Sequence, residues 1–253
     1  MNTNRLLSTI MLLLVTISLL LAACAPATPA APVKDMSDPV TIVQTFYEAF
    51  NAKDLDKAMS LTAEDYVMND PFGTYDRSAA AVQWQAVMDA GLTFNQTNFV
   101  DTGNGRVTSC YEVFENGKSI DKGCGNVTHV RDGKIIYDGL ENAEQIWVVQ
   151  KYYEALNAKN LDLAMSFVAG DALFINPTGT YEGAEAIRES LAGLNTDGIT
   201  FELSNFRNTS GQIVYDYKVM QGENLLDQGT NGLTVVKDGL VIFDGTEDTF
   251  VAR

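Results

Sequence analysis

The stretch VQTFYEAFNAKDLDKAMS at residues 43–60 recurs as VQKYYEALNAKNLDLAMS at residues 149–166. Thirteen of the eighteen positions are identical, at an offset of 106 residues. The same offset relates Pro71-Phe72-Gly73-Thr74-Tyr75 to Pro177-Thr178-Gly179-Thr180-Tyr181, and Val130-Arg131-Asp132-Gly133 to Val236-Lys237-Asp238-Gly239. It also relates Asp138-Gly139 to Asp244-Gly245. A period this long marks two tandem domains, not a solenoid of short units. The boundary falls near Glu141 to Glu144, giving domains over 38–141 and 142–253.

Each half reads alike. In the first, Ser37-Asp38-Pro39 supplies a capping residue and a first-turn proline. Val43, Phe46, Tyr47 and Phe50 follow at i, i+3, i+4, i+7, the apolar stripe of a helix. Asn51-Ala52-Lys53-Asp54 interrupts it, and a shorter helix turns Leu55, Ala58 and Met59 inward. Tyr66–Met68 reads as a short strand ending at Asp70-Pro71, and Ser78–Asp89 as a third helix. The period then becomes alternating over Thr93–Val100, Val107–Glu115, Ser119–Val130 and Lys134–Tyr137, with hairpin signals at Asn116-Gly117 and Asp132-Gly133. Helices laid on one face of a curved antiparallel sheet make an α+β cone.

Outward from the repeat, residues 1–23 read as an export signal: Arg5, then an uncharged leucine-rich run from Leu6 to Leu21, then small residues. The run is short for a permanent membrane span. Leu21-Ala22-Ala23-Cys24 resembles the bacterial lipobox, in which the cysteine is lipidated and becomes the new N-terminus. That resemblance implies several acyl chains on Cys24 and lasting membrane attachment. It places the mature protein outside the cytoplasm, and on the outer membrane if the cell is Gram-negative, because Ala25 and not an aspartate follows Cys24. Residues 24–37 form a Pro/Ala-rich tether.

The chain has 46% apolar and 20% charged residues, enough apolar content for cores. Its formal charge is −16, and loss of the leader with its single Arg5 leaves 16 basic residues against 33 acidic. Such a surface repels phosphate backbones and argues against nucleic-acid partners. Three cysteines without a CxxC, and a single histidine, give no metal site and no cofactor motif. A Ser/His/Asp triad could draw only on His129.

The order helix–helix–strand–helix–meander, with "YEAxNAKxLDxAMS … DPFGTY", resembles the NTF2-like superfamily and its SnoaL-like branch. That branch includes isomerases, polyketide cyclases, epoxide hydrolases, dehydratases and domains that only bind or assemble. The resemblance implies a polar pocket residue near Asp70. It also implies pairing through the outer sheet face, which two fused copies could satisfy as an intramolecular pseudo-dimer.

Alternation along the strands places Val107, Ser109, Tyr111 and Val113 on one face, matched by Ile213, Tyr215, Tyr217 and Val219. Val127 and His129 match Leu233 and Val235, and His129 is expected to point inward. The first pocket would then hold Tyr47, Asp70, Tyr75, Tyr111 and His129, with Asp70 and His129 as an acid/base pair. Asp70 suits equally a cap on the Pro71 turn, and His129 a hydrogen-bonded core residue. The second copy has Asn176 and Val235 at those positions and keeps Tyr153, Tyr181, Tyr215 and Tyr217, a set suited to binding. Cys110 and Cys124 lie on the opposite face of adjacent strands. A three-residue loop over Asn116–Lys118 would set them opposite each other for a disulfide, whereas a two-residue turn would oppose Cys110 to Gly123. The reading that results is a lipid-anchored lipoprotein whose tandem domains bind a small apolar ligand or a protein partner. The alternative is an isomerase, cyclase or hydrolase using Asp70 and His129.

Overall fold

A computed structural model describes residues 37–250. The leader, Cys24 and the tether lie outside the described residues. Within them each half folds into three helices and a six-stranded sheet. The first repeat comprises α1 (Pro39–Asn51), α2 (Leu55–Ser60), β1 (Thr62–Asp70), β2 (Gly73–Asp76) and α3 (Arg77–Asp89), then β3 (Leu92–Asp101), β4 (Arg106–Glu115), β5 (Lys118–Arg131) and β6 (Lys134–Leu140). The second comprises α4 (Glu141–Asn157), α5 (Leu161–Met165), β7 (Val168–Asn176), β8 (Gly179–Glu182) and α6 (Ala184–Thr196), then β9 (Ile199–Thr209), β10 (Gln212–Gln221), β11 (Asn224–Lys237) and β12 (Leu240–Thr246).

Asp38 caps α1 by accepting from the Thr41 amide at 2.9 Å, with Pro39 in the first turn. The helix buries Ile42, Val43, Phe46, Tyr47 and Phe50 against the sheet. Its end is fastened by Asn51, which donates to the Phe94 carbonyl at 2.7 Å and accepts from its amide at 2.9 Å. Asn157 holds Phe201 in the same way, both bonds being 2.8 Å. Asn157 follows Asn51 by 106 residues but Phe201 follows Phe94 by 107: the repeat gains a residue around Gly183, at the start of α6, and returns to 106 by β10.

The sheet order is β2-β1-β6-β5-β4-β3, repeated as β8-β7-β12-β11-β10-β9. The short strand expected at Tyr66–Met68 is nine residues long and returns through the β2 hairpin. It runs parallel to β6, while the other neighbouring pairs are antiparallel. Its register brings Met68 opposite Asp138. A Cβ on Gly139 would stand 2.8 Å from the Asn69 carbonyl oxygen, so the repeated Asp-Gly marks a close approach of two backbones.

Bulges decide the register of β4 and β5. The turn at Asn116-Gly117 has two residues, with Glu115 opposite Lys118, and Ile120 is then an unpaired extra residue. That bulge brings Cys110 opposite Cys124, and the two form a disulfide. A second bulge at Gly125 (φ 92°) moves the pairing again, to Ser109 opposite Asn126 and Arg106 opposite His129.

Two hydrophobic cores result. One gathers Phe46, Phe50, Tyr66, Trp84 and Ile135; the other gathers Tyr152, Leu156, Phe174, Ile187 and Tyr215, and extends to Ile136, Tyr137 and Trp147. Adjacent residues Ile135 and Ile136 therefore serve different cores. The outer face of the first sheet packs on α4 of the second repeat, through His129, Tyr137 and Trp147. In place of the symmetric sheet-to-sheet pairing expected of a pseudo-dimer, this joint is head-to-tail, sheet against helix. On the second sheet, Phe250 packs over Phe243 with ring centroids 5.1 Å apart.

Candidate functional site

Each cone is organised around a carboxylate that strand alternation did not single out, buried in the first and half-buried in the second. In the first, Asp138 on β6 is 3% exposed. Tyr47 of α1 donates to its Oδ2 at 2.8 Å, and Thr128 of β5 donates to Oδ1 at 2.8 Å. Asn126 adds a third bond to Oδ1 at 3.2 Å. Burial raises the Asp138 pKa, and the bonds from Thr128, Tyr47 and Asn126 oppose that rise. Tyr66 and Trp84 close the space nearby, the indole donating to the Tyr66 hydroxyl at 3.4 Å.

The second cone repeats the triad at the same offset. Tyr153 donates to both oxygens of Asp244 at 3.0 Å, and Thr234 donates to Oδ1 at 2.7 Å. Tyr215 adds a longer bond at 3.3 Å and exchanges others with Tyr153 and Thr234. Asp244 is only half-buried by surface area. Its surroundings are nonetheless dense, and burial pushes its pKa up to about 6 against the hydroxyl bonds that lower it.

A compensated exchange separates the two sites. Ser109 and Asn126 face each other across β4 and β5; Tyr215 and Gly232 face each other at the equivalent places. A Cβ on Gly232 would lie 2.5 Å from the Tyr215 ring, so the phenol fills the space that the Asn126 side chain takes in the first repeat. Other replacements remove bulk from the second cone: Ala172 stands for Tyr66, and Leu191 on α6 for Trp84. Tyr152 stands for Phe46, and its buried hydroxyl has no hydrogen-bond partner.

Asp70 and His129 are not brought together. Asp70 accepts from the amides of Phe72 and Gly73 at 2.8 and 3.0 Å, capping the turn after Pro71. Asn176 does the same for Thr178, amide to Oδ1 at 2.9 Å. His129 points away from the cone, contrary to expectation, because it is paired with Arg106 on the outer face, whereas Thr128 faces inward to Asp138. Its Nε2 donates to Oε1 of Glu144 at 2.5 Å. Arg106 approaches the same carboxylate through Nε at 2.6 Å and Nη2 at 2.9 Å. Burial works to raise the Glu144 pKa, but the bonds from His129 and Arg106 outweigh it and hold the carboxyl below its ordinary value.

Of the tyrosines, Tyr47, Tyr153 and Tyr215 converge on the two carboxylates. Tyr75 packs half-buried at the edge of the first core, and the Tyr181 hydroxyl is 2.8 Å from that of Thr178. Tyr111 and Tyr217 cover Gly123 and Gly229 near the hairpin ends, and Tyr217 donates to Asp227 at 3.3 Å. Among the described residues no cluster of His, Cys, Asp and Glu could hold a metal ion, and no helix is long and apolar enough to cross a membrane.

The family model for the SnoaL-like domain matches residues 43–137 and again 149–248. The chain belongs to the SnoaL-like domain family. Similar solved structures include an NTF2-like protein of unknown function from Cytophaga hutchinsonii, 19% identical over 41% of this chain and 88% of that one, with a TM-score of 0.36. A candidate polyketide cyclase from Sinorhizobium meliloti is 18% identical over 39% of this chain and 92% of its own, TM-score 0.35. IdmH, a candidate polyketide cyclase from Streptomyces antibioticus, is 23% identical over 40% and 89%, TM-score 0.33. No curated protein matches the chain. In this SnoaL-like pair, the Tyr–Thr–Asp triad is a polar feature inside both cones. The signal for it was the repeated Asp138-Gly139 and Asp244-Gly245, read together with Tyr47 and Tyr153.

Proposed function

We propose that this SnoaL-like chain is a membrane-anchored extracytoplasmic lipoprotein whose second cone holds a small, largely apolar ligand by a hydrogen bond to Asp244. The apolar leader and the Leu21-Ala22-Ala23-Cys24 sequence support the anchoring. The contrast between the two carboxylates carries the ligand reading. Three side chains of its own cone donate to each carboxylate, but Asp138 is sealed from solvent. Asp244 is half-buried, has the Tyr215 hydroxyl in place of the Asn126 amide, and is bonded by Tyr153 and Tyr215, whose rings pack on each other and, through Tyr153, on Phe201. An apolar wall with one polar anchor suits a small molecule that donates a hydrogen bond.

The same carboxyl favours a second reading. A group titrating near pH 6 in apolar surroundings suits a general base, so an isomerase- or cyclase-type proton transfer would use Asp244 in the second repeat. Native mass spectrometry of protein purified from its own host tests the binding reading. The wild type and Asp138→Asn are expected to retain a bound mass that Asp244→Asn loses; a bare wild type, or a mass indifferent to Asp244, contradicts it. For the anchor, Cys24→Ser should shift the protein from the membrane fraction to the soluble one, and unchanged partitioning contradicts it.

A further inference from the structure

The joint between the repeats contains a cavity of ≈ 280 Å³, separate from both cones. One wall comes from the first repeat, through the β3–β4 loop, the end of β5 and Ile136. The other comes from the second, through Leu163 of α5, Phe167 and the β11–β12 turn. The cavity therefore needs both repeats.

Three lining residues are basic, and each already has an acidic partner. Arg106 is held in two-pronged fashion by Glu144, and His129 shares that carboxylate. Arg131 donates to Asp65 at 2.6 Å. Asp238, exposed at the rim, adds negative charge that would repel an anion. What remains for an occupant is mainly apolar, Val130, Ile136, Leu163, Phe167 and Leu240, with the neutral polar side chains of Asn104 and Ser166 beside them. The second repeat has Gln212 and Val235 in place of Arg106 and His129, so this chemistry belongs to the joint alone.

We propose that the cleft is a second ligand site, for a neutral and predominantly apolar molecule of about single-ring size. Volume agrees with that class, since an apolar cavity of about 150 Å³ suffices for benzene. Charge agrees too, because an ionic guest would have to displace a buried pair. Trp147 reports on the site: its ring centroid is 5.0 Å from that of His129 and 6.0 Å from that of Phe167, and both of those rings line the cavity.

The test is a toluene titration of the full chain carrying Cys24→Ser, followed by methyl and indole NMR. The methyls of Ile136, Leu163 and Leu240 and the Trp147 indole N–H should move together on one saturable curve. Leu240→Trp, which fills the cleft, should weaken binding at least tenfold, and Asp244→Asn in the cone should leave it unchanged. Should Leu240→Trp lose its dispersed spectrum, Ser166→Trp fills the cleft from an exposed lining position. Shifts confined to cone residues such as Leu203, shifts that do not saturate, or binding that survives a folded filling variant would overturn the proposal.

Discussion

Arg106 of the first repeat and Glu144 of the second form a two-pronged ion pair across the joint, with the guanidinium 3% and the carboxylate 0% exposed. Removing one partner leaves the other buried with weaker compensation: Arg106 would keep Glu141 at 3.6 Å, and Glu144 would keep His129 at 2.5 Å. Glu144→Ala should therefore cost about 3–5 kcal/mol in denaturant unfolding. Replacing both with apolar residues, as in Arg106→Met with Glu144→Leu, should recover most of that loss. Because the folded Glu144 pKa is depressed, its contribution is complete above the ordinary glutamate value of 4.5 and is lost as pH falls through the folded value. A Glu144→Ala cost that does not shrink toward low pH would contradict this role.

Exchange of bulk between Ser109/Asn126 and Tyr215/Gly232 predicts strong coupling. Gly232→Asn alone drives a side chain into the Tyr215 ring and should destabilise by about 1–3 kcal/mol. Tyr215→Ser alone leaves a cavity and should also destabilise. The double variant rebuilds the first-repeat arrangement and should be more stable than either single change. Additive losses in the double-mutant cycle would contradict the compensation.

Tyr152 buries a hydroxyl without a partner where the first repeat has Phe46. Tyr152→Phe should raise stability by about 1–3 kcal/mol, the scale of an unsatisfied buried polar group. The thermal midpoint measures it directly, and a fall would mean that the hydroxyl is engaged.

Asp244 should make stability depend on pH in the opposite sense to Glu144. Its folded pKa lies above its ordinary value, so its contribution is full below about 3.8 and is lost as pH rises through about 6. The span corresponds to about 3 kcal/mol at most. The difference in unfolding free energy between wild type and Asp244→Asn should therefore move in favour of Asn between pH 4 and pH 7. A flat difference would contradict the shifted carboxyl.

The duplicated cone was legible because VQTFYEAFNAKDLDKAMS and its copy preserve the helical stripe and the turn that ends it. The carboxylates at the centre of each cone were hidden, because Asp138-Gly139 and Asp244-Gly245 look like turn residues. The glycine is there to let β1 or β7 pass closely. His129 was placed on the wrong side for a related reason. From Asn126 to Val130 every residue of β5 is buried, one face in the cone and the other at the joint, so alternation carried no sign of direction. The Gly125 and Ile120 bulges then moved the register in ways that the Asn116-Gly117 turn does not announce.

Direct observation of the two carboxyls by carbon-detected NMR, with aspartate labelled at Cγ, tests most plainly whether the second cone presents a reachable, shifted acid. The Asp244 resonance should titrate with a midpoint near 6 and be abolished by Asp244→Asn. A midpoint near 3.8, the ordinary aspartate value, would contradict the account by making Asp244 a solvated surface group.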